Sequence, residues 1–398
     1  MLSALANNPK MCGKISTMKK IHVLFHDAGG GHRNAALALQ TIVAQQQRPW
    51  HLELIQFQSL SDRLDVLRQL TGIRIEEQYN TLLRNGWTLG SAQLLKVLQA
   101  TIHLFHRTIV KLLEKYWREN PADLLISVIP HFNSQLCESW AAVYPGRPFV
   151  TLITDLADYP PHFWIEPVIG SGKEQYIIAG TERAVQQARS FGHPESHIFG
   201  TSGMILRPDF YENDKPDPLA LRAELGLKPD LPTGIVLFGG FGSSVMYEIA
   251  DRLENAGTQV QLILVCGRNE KLAARLRARR WKMPVHILGF TKEVHKLMYA
   301  ADFLIGKPGP GSIAEAMVRH LPVLIECNAW TLPQERYNAE WVKEKRVGIV
   351  LKKFRQVVEG VKQMIEPSAL TEFRKNVAAQ NNRAVFEIPE ILSKLLGQ

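Results

Sequence analysis

No apolar run in this chain reaches the roughly 18 residues that a bilayer-spanning helix requires, so none of these segments is expected to cross a membrane as a helix. The four cysteines, Cys12, Cys137, Cys266 and Cys327, form no CxxC pair. Neither a zinc framework nor a disulfide scaffold is expected, and free thiols in a reducing cytoplasm are the plain reading. No GxxxxGK[ST] run occurs, which excludes a P-loop. No zinc-finger, RNA-binding or recognition-helix signature accompanies the basic residues, so nucleic acid is not an expected partner. Residues Met1–Thr17 lack the apolar core of a signal peptide and read as a disordered extension ahead of a domain that begins at Met18.

What is present is positive charge and glycine in particular places. A net charge of +9 favours anionic partners, meaning lipid headgroups or phosphorylated substrates. The 398 residues exceed what one hydrophobic core serves, so two domains are expected. Three glycine-rich turns each sit between a predicted strand and a predicted helix: His26–Leu39 (HDAGGGHRNAALAL), Phe238–Ser244 (FGGFGSS) and Gly306–Met317 (GKPGPGSIAEAM). Glycine lets backbone approach a ligand, and a helix N-terminus offers unpaired N–H groups to an anion. One such turn near the start and two in the second half suggest two nucleotide-type domains facing one phosphate-bearing ligand.

Around these turns, short apolar runs alternate with helical stretches, as expected of α/β domains with mostly parallel sheets. Strands are predicted at Ile21–Phe25, His51–Phe57, Leu124–Val128, Phe149–Thr154, Tyr176–Ala179 and His197–Phe199. After a proline-rich linker, they resume at Gly234–Leu237, Gln261–Val265, Val285–Leu288, Asp302–Ile305, Pro322–Ile325 and Gly348–Val350. The expected organisation is an N-terminal domain over residues 18–205, a linker over 206–232, a second domain over 233–370 and a C-terminal helix over 371–398 packing back on the first domain. A helical insert over 59–119 carries Lys96, His103, His106, Arg107, Lys111 and Lys115, with Trp87 in a turn. Periodicity leaves two readings of it open: a layer packed on the sheet, or an amphipathic surface that meets a bilayer.

The third turn holds GPGSIA with Glu326 at the next strand end, which partly mimics a dinucleotide fingerprint. Its late position in the domain and Pro310 in the tight turn weigh against a nicotinamide cofactor. A nucleotide sugar uses more of the residues. N–H groups around Gly309, Gly311 and Ser312 suit phosphate, Glu315 one turn into the helix suits two ribose hydroxyls, and adjacent Gln334 and Glu335 suit sugar hydroxyls. Taken alone, Gln334–Glu335 would serve equally as a solvated helix start with a helpful acidic charge.

DAGGGHRNAALAL, LITDLADYPPHFW, LFGGFGSS, GFTKEVHKLMYAADFLIGKPGPGSIAEAM and the PQERYN loop together resemble the monogalactosyldiacylglycerol synthase-like glycosyltransferases, relatives of the enzyme that glycosylates a lipid-linked muramyl peptide. The resemblance runs from Lys20 to Lys352 in order. It implies a GT-B fold, two Rossmann-like doubly wound domains facing a central cleft. It further implies inverting transfer of a hexose from a UDP-sugar to a membrane lipid, with no bound metal and no tightly held cofactor. Diacylglycerol is the expected acceptor, and a cytoplasmic enzyme peripheral on an anionic membrane surface is the expected setting.

Carried onto this chain, the resemblance assigns donor contacts to Gly240, Ser243, Phe290, Gly309, Gly311, Ser312, Glu315, Gln334 and Glu335, with Phe290 near the uracil. His32 is the implied general base, since imidazole ordinarily titrates near the working pH. Alone, it would serve equally as a helix cap or diphosphate ligand. Asp155 is placed to orient His32 or the acceptor hydroxyl, with a turn or helix cap as its plainer role. Gly30, Gly31, Arg33, His131, Trp87 and Lys307 are candidates for acceptor or phosphate contact. Arg33 and Lys307 would equally be solvated helix-start residues.

Two departures bear on substrate. Asn34-Ala35-Ala36 follows GGGHR, so the proline of the muramyl-peptide enzyme's turn is absent, which argues against peptidoglycan synthesis. The acidic ERYN loop differs from the QQ-type loop of an N-acetylglucosamine donor and favours galactose or glucose. Competing functions remain: transfer to an isoprenoid or soluble acceptor, a non-hydrolysing UDP-sugar epimerase, or a non-catalytic UDP-sugar sensor.

Overall fold

Short aliphatic runs bounded by glycine and polar turns become the strands of two parallel sheets, because strands covered by helices on both faces must be apolar along their whole length. The computed structural model describes residues 18–26, 30–58, 60, 91–159, 163–167, 175–212 and 215–398. Trp87 and much of the insert lie outside these residues.

The first sheet has the order β2-β1-β3-β4-β5-β6. Its strands are β1 (Lys19–Phe25), β2 (Trp50–Gln56), β3 (Leu124–Val128), β4 (Phe149–Leu152), β5 (Gln175–Ala179) and β6 (Ile198–Gly200). The second sheet has the order β12-β11-β10-β7-β8-β9. It comprises β7 (Thr233–Leu237), β8 (Gln261–Val265), β9 (Val285–Leu288), β10 (Phe303–Gly306), β11 (Val323–Glu326) and β12 (Gly348–Leu351). All twelve predicted strands form, and the chief difference is that β4 stops at Leu152, which leaves Thr154 and Asp155 in the following loop.

In each sheet the strand order reverses direction at one place, between β1 and β3 in the first and between β7 and β10 in the second. Loops leaving the carboxyl ends of strands on either side of such a reversal part and open a crevice. Phe25 lies opposite Val128 and Leu237 opposite Gly306, so the loops leave each pair at one level. The glycine turns follow β1, β7 and β10, at these two crevices.

Each sheet buries both faces. In the first domain Ala35, Leu39 and Ile42 of the helix Gly31–Gln45 pack with Val385, Ile388 and Leu392 of the C-terminal helix Ala384–Leu395. The opposite face holds the helix His106–Glu119, whose Ile109, Leu113 and Trp117 turn inward. Trp117 Nε1 donates to Ser139 Oγ at 3.0 Å, and its ring meets Trp140 edge-on at 5.5 Å. Packing therefore accounts for the apolar stripe of this helix, while Arg107, Lys111 and Lys115 point to solvent beside the exposed Leu104.

The boundary expected at residue 370 falls inside the helix Pro367–Ala378, which stays with the second domain through the Arg374–Asp302 ion pair at 2.6 Å. The chain leaves that domain between 379 and 383 instead. There Asn382 lies against Gly203 of the other crossing and donates from Nδ2 to the Met204 carbonyl at 2.8 Å. A pocket of about 190 Å³ adjoins these crossings, with Leu156, Thr181 and Met204 from one side and Ile313, Met317 and Trp341 from the other.

Candidate active site

The helix Gly31–Gln45 begins at Gly30, whose φ of 83° is a left-handed conformation that glycine adopts without strain. No acidic residue occupies its first turn, so its N-terminal N–H groups meet no intrahelical carboxylate. Gly30 and Gly31 have open space where a Cβ would stand, which leaves room for a ligand against the backbone. Arg33 is exposed beside them. His32 turns inward, with Nδ1 3.1 Å from Thr154 Oγ1 and its ring 5.6 Å from the Trp164 ring.

Burial pushes the His32 imidazole down to about 3, and His26 adds to the effect while a hydrogen bond with the Val128 backbone opposes it. This corrects the expectation of an imidazole titrating near neutrality: the residue is only part-exposed, and Thr154 and Trp164 lie against its ring. A second correction concerns Asp155. It does not orient His32, a role taken by Thr154; instead its Oδ2 accepts from Trp164 Nε1 at 2.7 Å. Burial raises its carboxyl to about 7, the Trp164 bond opposes this, and then Glu335 raises it and Lys307 lowers it. Those last two groups belong to the other domain, so Asp155 faces the second domain.

Asp158 holds this loop in shape. Its Oδ1 accepts from the Trp164 amide at 2.6 Å and its Oδ2 from the Ile165 amide at 3.4 Å. His131 leaves the end of β3 with its ring edge-on to Phe163, centroids 4.2 Å apart. Burial pushes its imidazole down to about 3 as well, with His26 and His32 adding to the shift. His26, His32 and His131 thus gather at the crevice between β1 and β3.

Across the cleft, the second and third glycine turns meet. Lys307 Nζ pairs with Glu335 Oε1 at 2.6 Å, and a Cβ on Gly309 would stand 3.4 Å from Lys307 Cε. Gly239 at φ 74° and Gly242 at φ 58° fold the FGGFGSS turn, so that Gly240's carbonyl accepts from the Arg268 amide at 2.8 Å. Ser243 Oγ accepts from the Val245 amide at 3.3 Å, at the start of the helix Val245–Asn255. Phe290 is half exposed beneath the Arg268 guanidinium, 5.2 Å from its ring centre.

Gly309 caps the helix Pro310–Val318, and Gly311 has open space at its Cβ direction, with Ser312 part-exposed next to it. Glu315 lies one turn further, raised to about 7 by burial, with only Arg207 opposing the shift. Among the described residues its carboxylate forms no hydrogen bond or ion pair. Gln334 and Glu335 fall in the turn Pro333–Glu335, with Glu335 buried on Lys307 and Gln334 part-buried beside it.

Reasoning from the sequence picked one residue, Asp155, out of LITDLADYPPHFW. It missed Thr154, Asp158 and Trp164 in the same run, whose shared signal was an acidic, aromatic loop directly after a predicted strand. Arg207, in the linker, carried no signal of its own.

The glycosyltransferase family 28 C-terminal domain matches residues 235–393. Among relatives, the probable monogalactosyldiacylglycerol synthase, chloroplastic, of Glycine max is 30% identical over 401 residues, covering 96% of this chain and 72% of that protein. The Spinacia oleracea monogalactosyldiacylglycerol synthase is 28% identical, covering 96% and 73%. Among solved structures, Acinetobacter baumannii MurG superposes with a TM-score of 0.59 at 12% identity, over 94% of this chain and 99% of that one. Anabaena Alr3699/HepE in complex with UDP-glucose gives 0.52 at 16% identity, over 95% and 99%. These structural likenesses speak to the fold, a GT-B arrangement of two parallel-sheet domains.

Proposed function

Because the chain belongs to the monogalactosyldiacylglycerol synthase-like glycosyltransferases, we propose that it moves a hexose, galactose or glucose, from a UDP-sugar to diacylglycerol in a membrane, with inversion to a β-glycolipid. What supports this reading is the pairing of two glycine-lined crevices: His32, held by Thr154 at 3.1 Å, in the first domain, and Lys307 on Glu335 at 2.6 Å beside Gly309 in the second. A donor held by the second domain's glycine turns would present its sugar to the first domain's His32.

In this reading Glu315 accepts the ribose hydroxyls, and the helix-start N–H groups of Gly311 and Ser312 receive the diphosphate, whereas the amide expected from Gly309 already donates to the Lys307 carbonyl at 2.8 Å. Leaving-group charge is stabilised by oriented amides that need no reorganisation at the moment of reaction. His32 begins neutral, the form a base requires. The diphosphate's negative charge raises the imidazole's proton affinity as the acceptor hydroxyl attacks the anomeric carbon. The C–O bond to UDP breaks as the new glycosidic bond forms, and the hydroxyl proton passes to His32.

A second reading makes Asp155 the base, since its carboxyl at about 7 is better matched to neutral pH. The same diphosphate charge argues against it, because it would raise that carboxyl further and keep it protonated. Radiolabel transfer from a panel of UDP-sugars into extracted lipid tests the whole proposal. Incorporation into diacylglycerol from UDP-galactose or UDP-glucose is expected, and absence of label from every lipid would refute it.

A further inference from the structure

Four described residues other than glycine have positive φ: Gln47, His131, His320 and Arg346. Three of them follow a helix end, after Gln45, Val318 and Glu344, where a left-handed residue closes the last turn and satisfies its carbonyls. His131 does not. At φ 71° it sits in the turn from β3 into the helix Asn133–Val143, where no helix end requires that conformation. A strained residue in a strand-to-helix turn persists only where its surroundings over-determine it, and such positions aim side chains into functional clefts.

The surroundings here are built to hold it. The His131 amide donates to the Phe163 carbonyl at 2.7 Å. Buried Asn133 pins the turn from below: its Nδ2 donates to the Ile129 carbonyl at 3.1 Å and the Trp164 carbonyl at 3.0 Å, while Ser127 Oγ donates to its Oδ1 at 2.6 Å. The Phe163–Trp164 loop that grips His131 is the same loop that Asp158 fixes and that carries Trp164 to His32 and Asp155. His131 Nδ1 is buried without a hydrogen-bond partner, although the residue as a whole is part-exposed. Its place, opposite the His32 turn at the reversal between β1 and β3, is where ligands enter folds of this topology.

We infer that His131 is an acceptor-binding residue: its neutral imidazole hydrogen-bonds the polar head of the lipid acceptor and orients the attacking hydroxyl toward His32. This rests on the lipid glycosyltransferase reading. Burial pushes this imidazole down to about 3, so it is uncharged through the physiological range and binds a hydroxyl without competing for its proton.

Substituting residues that favour the left-handed conformation separates positioning from folding. Both His131→Gly and His131→Asn relieve backbone strain while removing the imidazole. Transfer from UDP-galactose to a short-chain diacylglycerol in mixed micelles, donor affinity by calorimetry and thermal midpoint are measured on the full chain. The expected result is kcat/KM for the lipid lowered about tenfold or more, what one hydrogen bond to a reacting group supplies. Donor Kd should stay within about twofold, and the midpoint should hold or rise for His131→Gly. Transfer at the wild-type rate in both variants would overturn the inference alone, as would a loss of transfer matched by an equal loss of donor affinity. A wild-type protein that labels no lipid would overturn the underlying reading together with it.

Discussion

Glu315→Gln is expected to weaken donor binding while stabilising the empty protein. The carboxylate lies in the helix Pro310–Val318, raised to about 7 by burial. Ionised, it would accept two ribose hydroxyls through charge-assisted bonds, each about twice as strong as the neutral bonds a glutamine makes. That difference is about 1 kcal/mol per bond, so two bonds amount to roughly 30-fold in Kd. Because donor binding would favour the ionised form, wild-type affinity should rise with pH through the free-state value. With that value at about 7, affinity should increase about sevenfold between about pH 6 and 8. Titration calorimetry with UDP-galactose, whose diphosphate diester does not titrate in this window, reads both effects. The glutamine variant should lack this rise and keep only the opposing dependence that Asp155, also at about 7, imposes on both proteins. Its thermal midpoint should hold or rise, because a charge that burial disfavours has been removed. A wild-type profile parallel to the variant's across the window, or a variant binding as tightly as the parent, would refute the ribose role.

His32→Ala should bind UDP-galactose within about twofold of wild type while transfer falls by about two to four orders of magnitude. Asp155→Asn should retain most turnover, and equal losses in the two variants would move the proton-accepting role to Asp155. Gly180→Ala should lower the thermal midpoint, because the new Cβ would collide with the Gly203 carbonyl, and an unchanged midpoint would show that the crossing yields freely. Stability should fall as pH rises from about 7 to 8.5. Asp155, Asp158, Glu166 and Glu315 are each raised to about 7 by burial, so the folded state holds protons that the unfolded chain has already lost. A midpoint that climbs over that interval in a buffered melt would contradict this sign.

The strands were legible because each is buried on both faces and therefore writes itself as a continuous apolar run with a polar or glycine stop. The glycine turns were legible for a related reason: strand, glycine and helix follow one another within a few residues, so one local stretch carries the whole device. The chemistry of the cleft was less legible. That His32 titrates near 3 depends on the Trp164 loop and β3 closing around it, and neither adjoins it in sequence. The Lys307–Glu335 pair joins residues from separate loops, so neither partner announces the other. His131 reads as an ordinary histidine after a strand, since φ leaves no trace in composition. The basic helix His106–Glu119 shows the opposite case, where strong periodicity marked an amphipathic face truly but did not say what would cover it.

Asn382 resting on Gly203 means that the polypeptide passes between its two halves twice at nearly one point. Two adjacent strands of covalent chain define a single pivot, which resists shear and permits rotation. A turn of a few degrees there swings the distant lips of the cleft through a far wider arc than the backbone at the pivot travels. Rotation about that point would leave both cores packed, and a side chain added at Gly203 would press on Asn382 at the pivot itself.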